Sequence, residues 1–190
     1  MGAKEDGKYV IYPDNGPEMT VFCEFTTNGG GWTVFQRRHK GEITFARNLE
    51  QYQHGFGPVD GEFWLGNENL HRLGEGQFLA RLTSTGNDST YSLYEQFDVS
   101  SEYTLFAKDH SGSISDGIFG TNSSVELSFG VYSKIVSAVN KCFNESDGGW
   151  WFGENCDGMN LNSEKQKCHT PYLSHEMMTR AKPQCKCVGL

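Results

Sequence analysis

Three consecutive glycines, Gly29-Gly30-Gly31, open directly into Trp32-Thr33-Val34-Phe35-Gln36-Arg37-Arg38, where Trp32, Val34 and Gln36 alternate with Thr33, Phe35 and Arg37. A period of two is that of a β-strand, whose successive side chains point to opposite faces. Because the glycines precede a strand and not a helix, no helix N-terminus is present to receive a phosphate, and they read as a turn. The same grammar recurs on either side. Lys8 to Tyr12 and Met19 to Phe25 are β-rich runs separated by Pro13-Asp14-Asn15-Gly16-Pro17, a hairpin whose turn residues cannot continue a ladder. Further strands are expected at Gln77 to Leu82, Tyr91 to Phe97 and Tyr103 to Lys108, at the spacing of an antiparallel sheet. Two short helices are expected between them. Asn48 caps one that runs from Leu49 to Gln53 and stops at Gly55; Asn67 caps another that runs through Leu70 to Leu73 and stops at Gly74. From His110 to Lys182 periodicity is weak and Gly, Asn and Ser are frequent, so this part reads as loops held by cysteines. The fold class is therefore α+β, in one domain, the default for 190 residues.

A hydrophobic share of 36% is modest, but 13 Phe and four Trp bring large apolar areas and are expected to carry the core. The formal charge of -8 argues against nucleic acid, which needs a basic face, and against an anionic membrane surface. No stretch approaches the ~20 apolar residues needed to span a bilayer. The start, Met1-Gly2-Ala3-Lys4, has no apolar signal core and reads as a cloning start.

The chain has six cysteines and no CxxC. Cys168-His169 and Cys185-Lys186-Cys187 have gaps shorter than those of structural zinc sites, so disulfides are the favoured state. Three glycosylation sequons begin at Asn87, Asn122 and Asn144. Together with the even cysteine count they point to an oxidising, extracellular setting and a secreted protein. Catalysis finds no support: no phrase marks a nucleophile with its base and orienting group, and the six histidines are scattered.

Two strings carry a resemblance: Gly29 to Arg38, and Gly61-Glu62-Phe63-Trp64-Leu65-Gly66-Asn67-Glu68. Together with Phe45, Arg47-Asn48, Tyr52 to Gly57, Cys142, Gly148-Gly149-Trp150-Trp151-Phe152, Cys156, Asn160-Leu161-Asn162 and the run from Leu173 to Pro183, they resemble the fibrinogen-related domain. This is the globular head of ficolins, tachylectin-type lectins, angiopoietins and tenascins. The resemblance implies an N-terminal hairpin region at about 1–33, a central antiparallel sheet from 34–108 plus 172–184, and a loop-rich, disulfide-braced ligand region at 109–171, followed here by a cysteine-containing tail at 185–190. Within it, Trp32, Phe35, Phe45, Phe63 and Trp64 are assigned to the core.

The family's calcium ligands would fall in Val131 to Ala138, where Ser133, Ile135 and Ser137 stand at the acidic positions and Lys134 adds a positive charge. That site reads as lost, and no cofactor is expected. The family's acetyl-binding pocket beside the Trp-Trp loop would map to Trp151, Phe152, Asn155, Cys156, Asp157 and Met159. Phe152 lacks the usual tyrosine hydroxyl, and Asp157 stands where a histidine follows the second cysteine; a carboxylate accepts from sugar hydroxyls but repels anions such as sialic acid. Part of the pocket wall is missing, since only Ser163 to Pro171 separate Asn162 from the closing strand. Two functions remain. One is a lectin-like recognition module for glycans or surface patterns, of innate-immune type; the other is a protein-binding, adhesive or structural head without a sugar pocket. Oligomers would form through segments outside this chain. The resemblance also implies a Cys142–Cys156 bridge; Cys23, whose usual partner would precede residue 1, is expected to pair with Cys185 or Cys187, and the other of these with Cys168, against the alternative of a free Cys23.

Overall fold

The computed structural model describes residues 5–39, 41–84, 88–114, 117–120, 124–131, 147–152, 159–163 and 172–181, the side chains of 172, 173 and 181 excepted. Ten strands and two short helices follow in order: β1 Gly7–Ile11, β2 Met19–Glu24, β3 Trp32–Arg38, α1 Leu49–His54, β4 Phe63–Trp64, α2 Asn67–Leu73, β5 Gly76–Ser84, β6 Ser89–Val99, β7 Leu105–Gly112, β8 Ser124–Gly130, β9 Trp150–Phe152 and β10 Tyr172–Ala181. They form an antiparallel sheet in the order β1-β2-β3-β10-β5-β6-β7-β8-β9, with β4 paired to β3.

β3 sits at the centre, and its neighbours explain why its alternation does not separate buried from exposed positions. One edge pairs with β10; the other is shared, Phe22 standing opposite Val34 on the β2 side and Trp64 opposite Gln36 on the β4 side. Trp32 to Gln36 are all buried. The five aromatics assigned to the core from sequence, Trp32, Phe35, Phe45, Phe63 and Trp64, are at most 1% exposed. Phe35 stacks on Phe97 at 6.0 Å between ring centroids and lies tilted on Phe78 at 5.9 Å, which joins β3 to β5 and β6.

The glycine turn before β3 depends on Gly30. It has φ +72°, and a Cβ there would lie 2.6 Å from the Phe25 carbonyl oxygen, so no other residue fits. Glu24 closes the turn by accepting the Thr27 amide at 3.0 Å, and the Trp32 indole N–H donates to the Thr27 carbonyl at 2.9 Å. Arg180 of β10 lies over the Trp32 ring at 4.4 Å and donates to the Asn28 carbonyl at 2.9 Å, fastening the turn to the closing strand.

α1 carries the expected cap. Asn48 Oδ1 accepts from the Gln51 amide at 2.9 Å and Gln51 Oε1 accepts from the Asn48 amide at 3.2 Å, a reciprocal capping box, and Gly55 ends the helix. α2 differs from expectation. Gly66 is its N-cap and Asn67 is the first helical residue. The Asn67 side chain is buried and accepts the Trp64 indole N–H at 3.0 Å, so a core tryptophan takes the oxygen that would otherwise cap the helix. Within the segment expected to be loop-rich, 109–171, the described residues include strand: β7 runs to Gly112, and β8 and β9 pair with Ser128 opposite Phe152.

Candidate functional site at the distal end of the sheet

β9 is short but firmly placed. Gly148 lies so close to Asn162 that a Cβ would come within 2.2 Å of its carbonyl oxygen, and a Cβ on Gly149 would strike the Tyr52 ring at 2.8 Å. The glycine pair therefore lets the chain press between the Asn160-Leu161-Asn162 turn and the core. The two asparagines hold it there: Asn160 Nδ2 donates to the Gly148 carbonyl at 3.1 Å and Asn162 Nδ2 to the Gly149 carbonyl at 2.9 Å. Asn162 is in turn held from β3, since Gln36 Nε2 donates to its Oδ1 at 3.0 Å. His175 Nε2 of β10 donates to the Leu161 carbonyl at 2.7 Å, and the Met159 amide donates to the Ile118 carbonyl at 2.8 Å.

This clamp positions the two ends of the segment that resemblance marks as ligand-binding. Phe152 is half-buried at the end of β9, and Met159, also half-buried, begins the clamp turn. Trp151 is different. It is fully buried, its indole N–H donates to the Tyr103 carbonyl at 3.0 Å, and its ring packs edge-on to Phe129 at 5.3 Å and tilted on Trp64 at 5.7 Å. The sequence reading places Trp151 among the ligand contacts; its indole is buried and its polar atom already used, which suits it to back the site from behind. Asn155, Cys156 and Asp157 lie outside the described residues, as do the calcium-equivalent stretch Ser133 to Ser137, the sequon residues Asn87, Asn122 and Asn144, and Cys142, Cys168, Cys185 and Cys187. Cys23 is described: it is fully buried in β2 and disulfide-bonded, to a partner outside the described residues. Among the described residues no cluster of three or more His, Cys, Asp or Glu could hold a metal ion, and no helix is long and apolar enough to cross a membrane.

The residues that build the clamp, Gln36, Asn160, Asn162 and His175, are not candidates in the sequence reading. Asn160-Leu161-Asn162 is visible there only as a family phrase. Its signal is a buried leucine, 3% exposed, between two asparagines, a pattern suited to a polar turn pinned on both sides of an apolar anchor.

His175 gives the clamp a pH dependence. The residue as a whole is only half-buried, but its ring faces inward beneath Leu161. Desolvation of the ring and then the nearby Arg38 charge push it down to about 4, against the opposing pull of the Leu161 carbonyl and of Glu62 and Glu176. The unfolded chain takes up a proton as pH falls through about 6.5, whereas the folded ring does not until about 4. Stability from this group is thus complete above about 6.5 and is lost as pH falls towards 4, by up to about 3 kcal/mol. Urea titrations at pH 7 and 4.5 should show a smaller drop for His175→Gln than for the unsubstituted chain; equal drops would rule the linkage out.

Residues 1–176 match the family of fibrinogen beta and gamma chains, C-terminal globular domain. Fibrinogen C domain-containing protein 1 of Xenopus tropicalis is 35% identical over 180 residues, covering 88% of this chain and 39% of the relative. Human Angiopoietin-1 is 38% identical over 172 residues, 85% of this chain and 33% of its own. The fibrinogen-like globe domain of human ANGPTL2 superposes with a TM-score of 0.81 at 27% identity, over 96% of this chain and 95% of that one. The chain belongs to the fibrinogen C-terminal domain family. It spans well under half the length of these full-length relatives.

Proposed function

We propose that this chain is the recognition head of a secreted, extracellular protein and binds neutral or acetylated glycans at the distal surface around Phe152 and Met159, with Asn155, Cys156 and Asp157 between them in sequence. One observation carries this reading. The asparagine clamp and the β8–β9 register fix Phe152 and Met159 to the core, and contact groups held on a rigid frame lose little entropy on binding. Asp157 would accept from sugar hydroxyls and turn away sialylated ligands. A glycan array on the refolded domain should show neutral or N-acetylated glycans bound, sialylated forms excluded, and binding lost in Phe152→Ala. Uniform failure across the array would overturn it.

A second reading, a protein-binding head without a sugar pocket, is favoured by the burial of Trp151, which leaves no indole face at this site for a sugar ring to stack on. Capture of an extracellular protein ligand by a domain that is blank on the array would establish it.

A further inference from the structure

The opposite face of the central sheet carries a second set of functional groups. Side chains alternate along a strand, so Gln36 and His175, which point to the distal clamp, leave Arg37 and Glu176 on the other face. There the register aligns a row across four strands: Arg37 of β3, Glu176 of β10, Arg81 of β5 and Tyr91 of β6 are direct cross-strand neighbours. Arg37 Nε donates to Glu176 Oε1 at 2.6 Å, and Arg81 Nη2 donates to Glu176 Oε2. Burial raises the Glu176 carboxyl, but the two guanidinium groups outweigh it and keep the group below the ordinary carboxylate range. Arg37 is further pinned over the Phe22 ring at 4.1 Å. Arg81 Nη1 lies 3.6 Å from buried Glu24. The row itself holds two arginines and one carboxylate, and buried Glu24 beneath Arg81 supplies the second, so the four charges cancel and leave no surplus with which to select an ion.

A second row runs beside the first. Ser174 stands opposite Thr83, and Thr83 opposite Ser89, with His39 just beyond the end of β3, two residues on from Arg37. Thr83 and Ser89 share a hydrogen bond at 3.2 Å, while among the described residues the Ser174 hydroxyl, the His39 ring, Arg37 Nη2 and Arg81 Nε have no hydrogen-bond partner. The two rows line an open groove of about 360 Å³. Tyr91, the cross-strand neighbour of Arg81, stands just outside its lining and is 45% exposed.

We propose that this groove is a binding site separate from the distal surface, and that it takes a short neutral oligosaccharide. Three properties define the ligand. The available groups interleave guanidinium donors with hydroxyls and carboxylate lone pairs, which matches neighbouring sugar hydroxyls that both give and accept. The balanced charge gives a phosphate or sulfate no advantage over a neutral ligand. The exposed Tyr91 ring offers a flat apolar face to the C–H side of a pyranose. The groove lies within the ~300–1,000 Å³ typical of small-ligand sites, and because its groups stand on four paired strands it is preformed.

The test is an amide-shift titration of the isotope-labelled domain with maltotriose, cellotriose and mannotriose, each beside its sulfated counterpart. At least one neutral trisaccharide should give saturable shifts at Thr83, Ser89, Tyr91 and Ser174. Tyr91→Ala and Ser174→Ala should weaken binding about tenfold without lowering the melting temperature, since both side chains lie outside the core. No saturable shift on this face with any neutral trisaccharide would overturn the proposal. So would tighter binding of the sulfated forms, or shifts confined to Phe152 and Met159; that last result would leave the distal reading standing alone.

Discussion

Glu62→Ala should destabilise the domain by about 3–5 kcal/mol, a fall in melting temperature on the order of 10 °C. Glu62 is 1% exposed and holds the chain leaving β3: its Oε1 accepts the amides of His39 at 2.8 Å and Gly41 at 2.7 Å, and its Oε2 that of Ile43 at 3.1 Å. The alanine leaves three part-buried backbone N–H groups without their acceptor, and each such loss costs about 1–3 kcal/mol where water does not replace it. Glu62→Gln keeps the shape and one acceptor oxygen but turns an amide donor towards other donors, so it should recover only part of the loss. Chemical denaturation measures both; a cost below about 1 kcal/mol for Glu62→Ala would show that the 39–43 segment holds itself.

Trp64→Ala is the second large effect, about 3–5 kcal/mol. Trp64 is the ring that joins the two halves of the aromatic core: it packs edge-on to Phe35 at 5.8 Å and Tyr52 at 5.4 Å on one side, and against Phe129 at 6.0 Å and Trp151 at 5.7 Å on the other. Its indole N–H is shared between the Tyr52 carbonyl at 3.1 Å and Asn67 Oδ1 at 3.0 Å. Trp64→Phe refills most of the volume and should cost clearly less, the remainder reflecting Asn67 Oδ1 left without its donor. Because Trp64 backs Trp151, the alanine variant should also lose near-ultraviolet dichroism from the distal tryptophans. Equal losses for Phe and Ala would place the whole effect in the indole hydrogen bond.

Where local chemistry and tertiary context agree, the sequence is readable. The β3 boundaries match Trp32 to Arg38, because a glycine turn and strict alternation both mark them, and Asn48 caps α1 because nothing else competes for its side chain. Asn67 fails as a cap for the opposite reason: a tryptophan three residues earlier claims its oxygen, and that is settled by packing. β8 carries a usable signal, Val125, Leu127 and Phe129 alternating with Glu126 and Ser128, but the surrounding Gly, Asn and Ser residues drown it. The site is less legible than the fold. Trp151 looks like a ligand contact in the family phrase, while its burial depends on Phe129 and Tyr103, residues distant in sequence. The two cross-strand rows cannot be read at all without the register that sets Glu176 between Arg37 and Arg81, residues separated by 139 and 95 positions.

The place of β10 in the strand order has a further consequence for biosynthesis. The ribosome makes β3 and β5 early and Tyr172–Ala181 last, yet that last strand lies between them. Until it emerges, two inner strands present open edges and the barrier to completion is the slow closure of long loops. Until then the nascent head holds the inner edges of β3 and β5 unpaired. That interval is when edge-to-edge association competes best with folding, and when binding by a chaperone would matter most to yield.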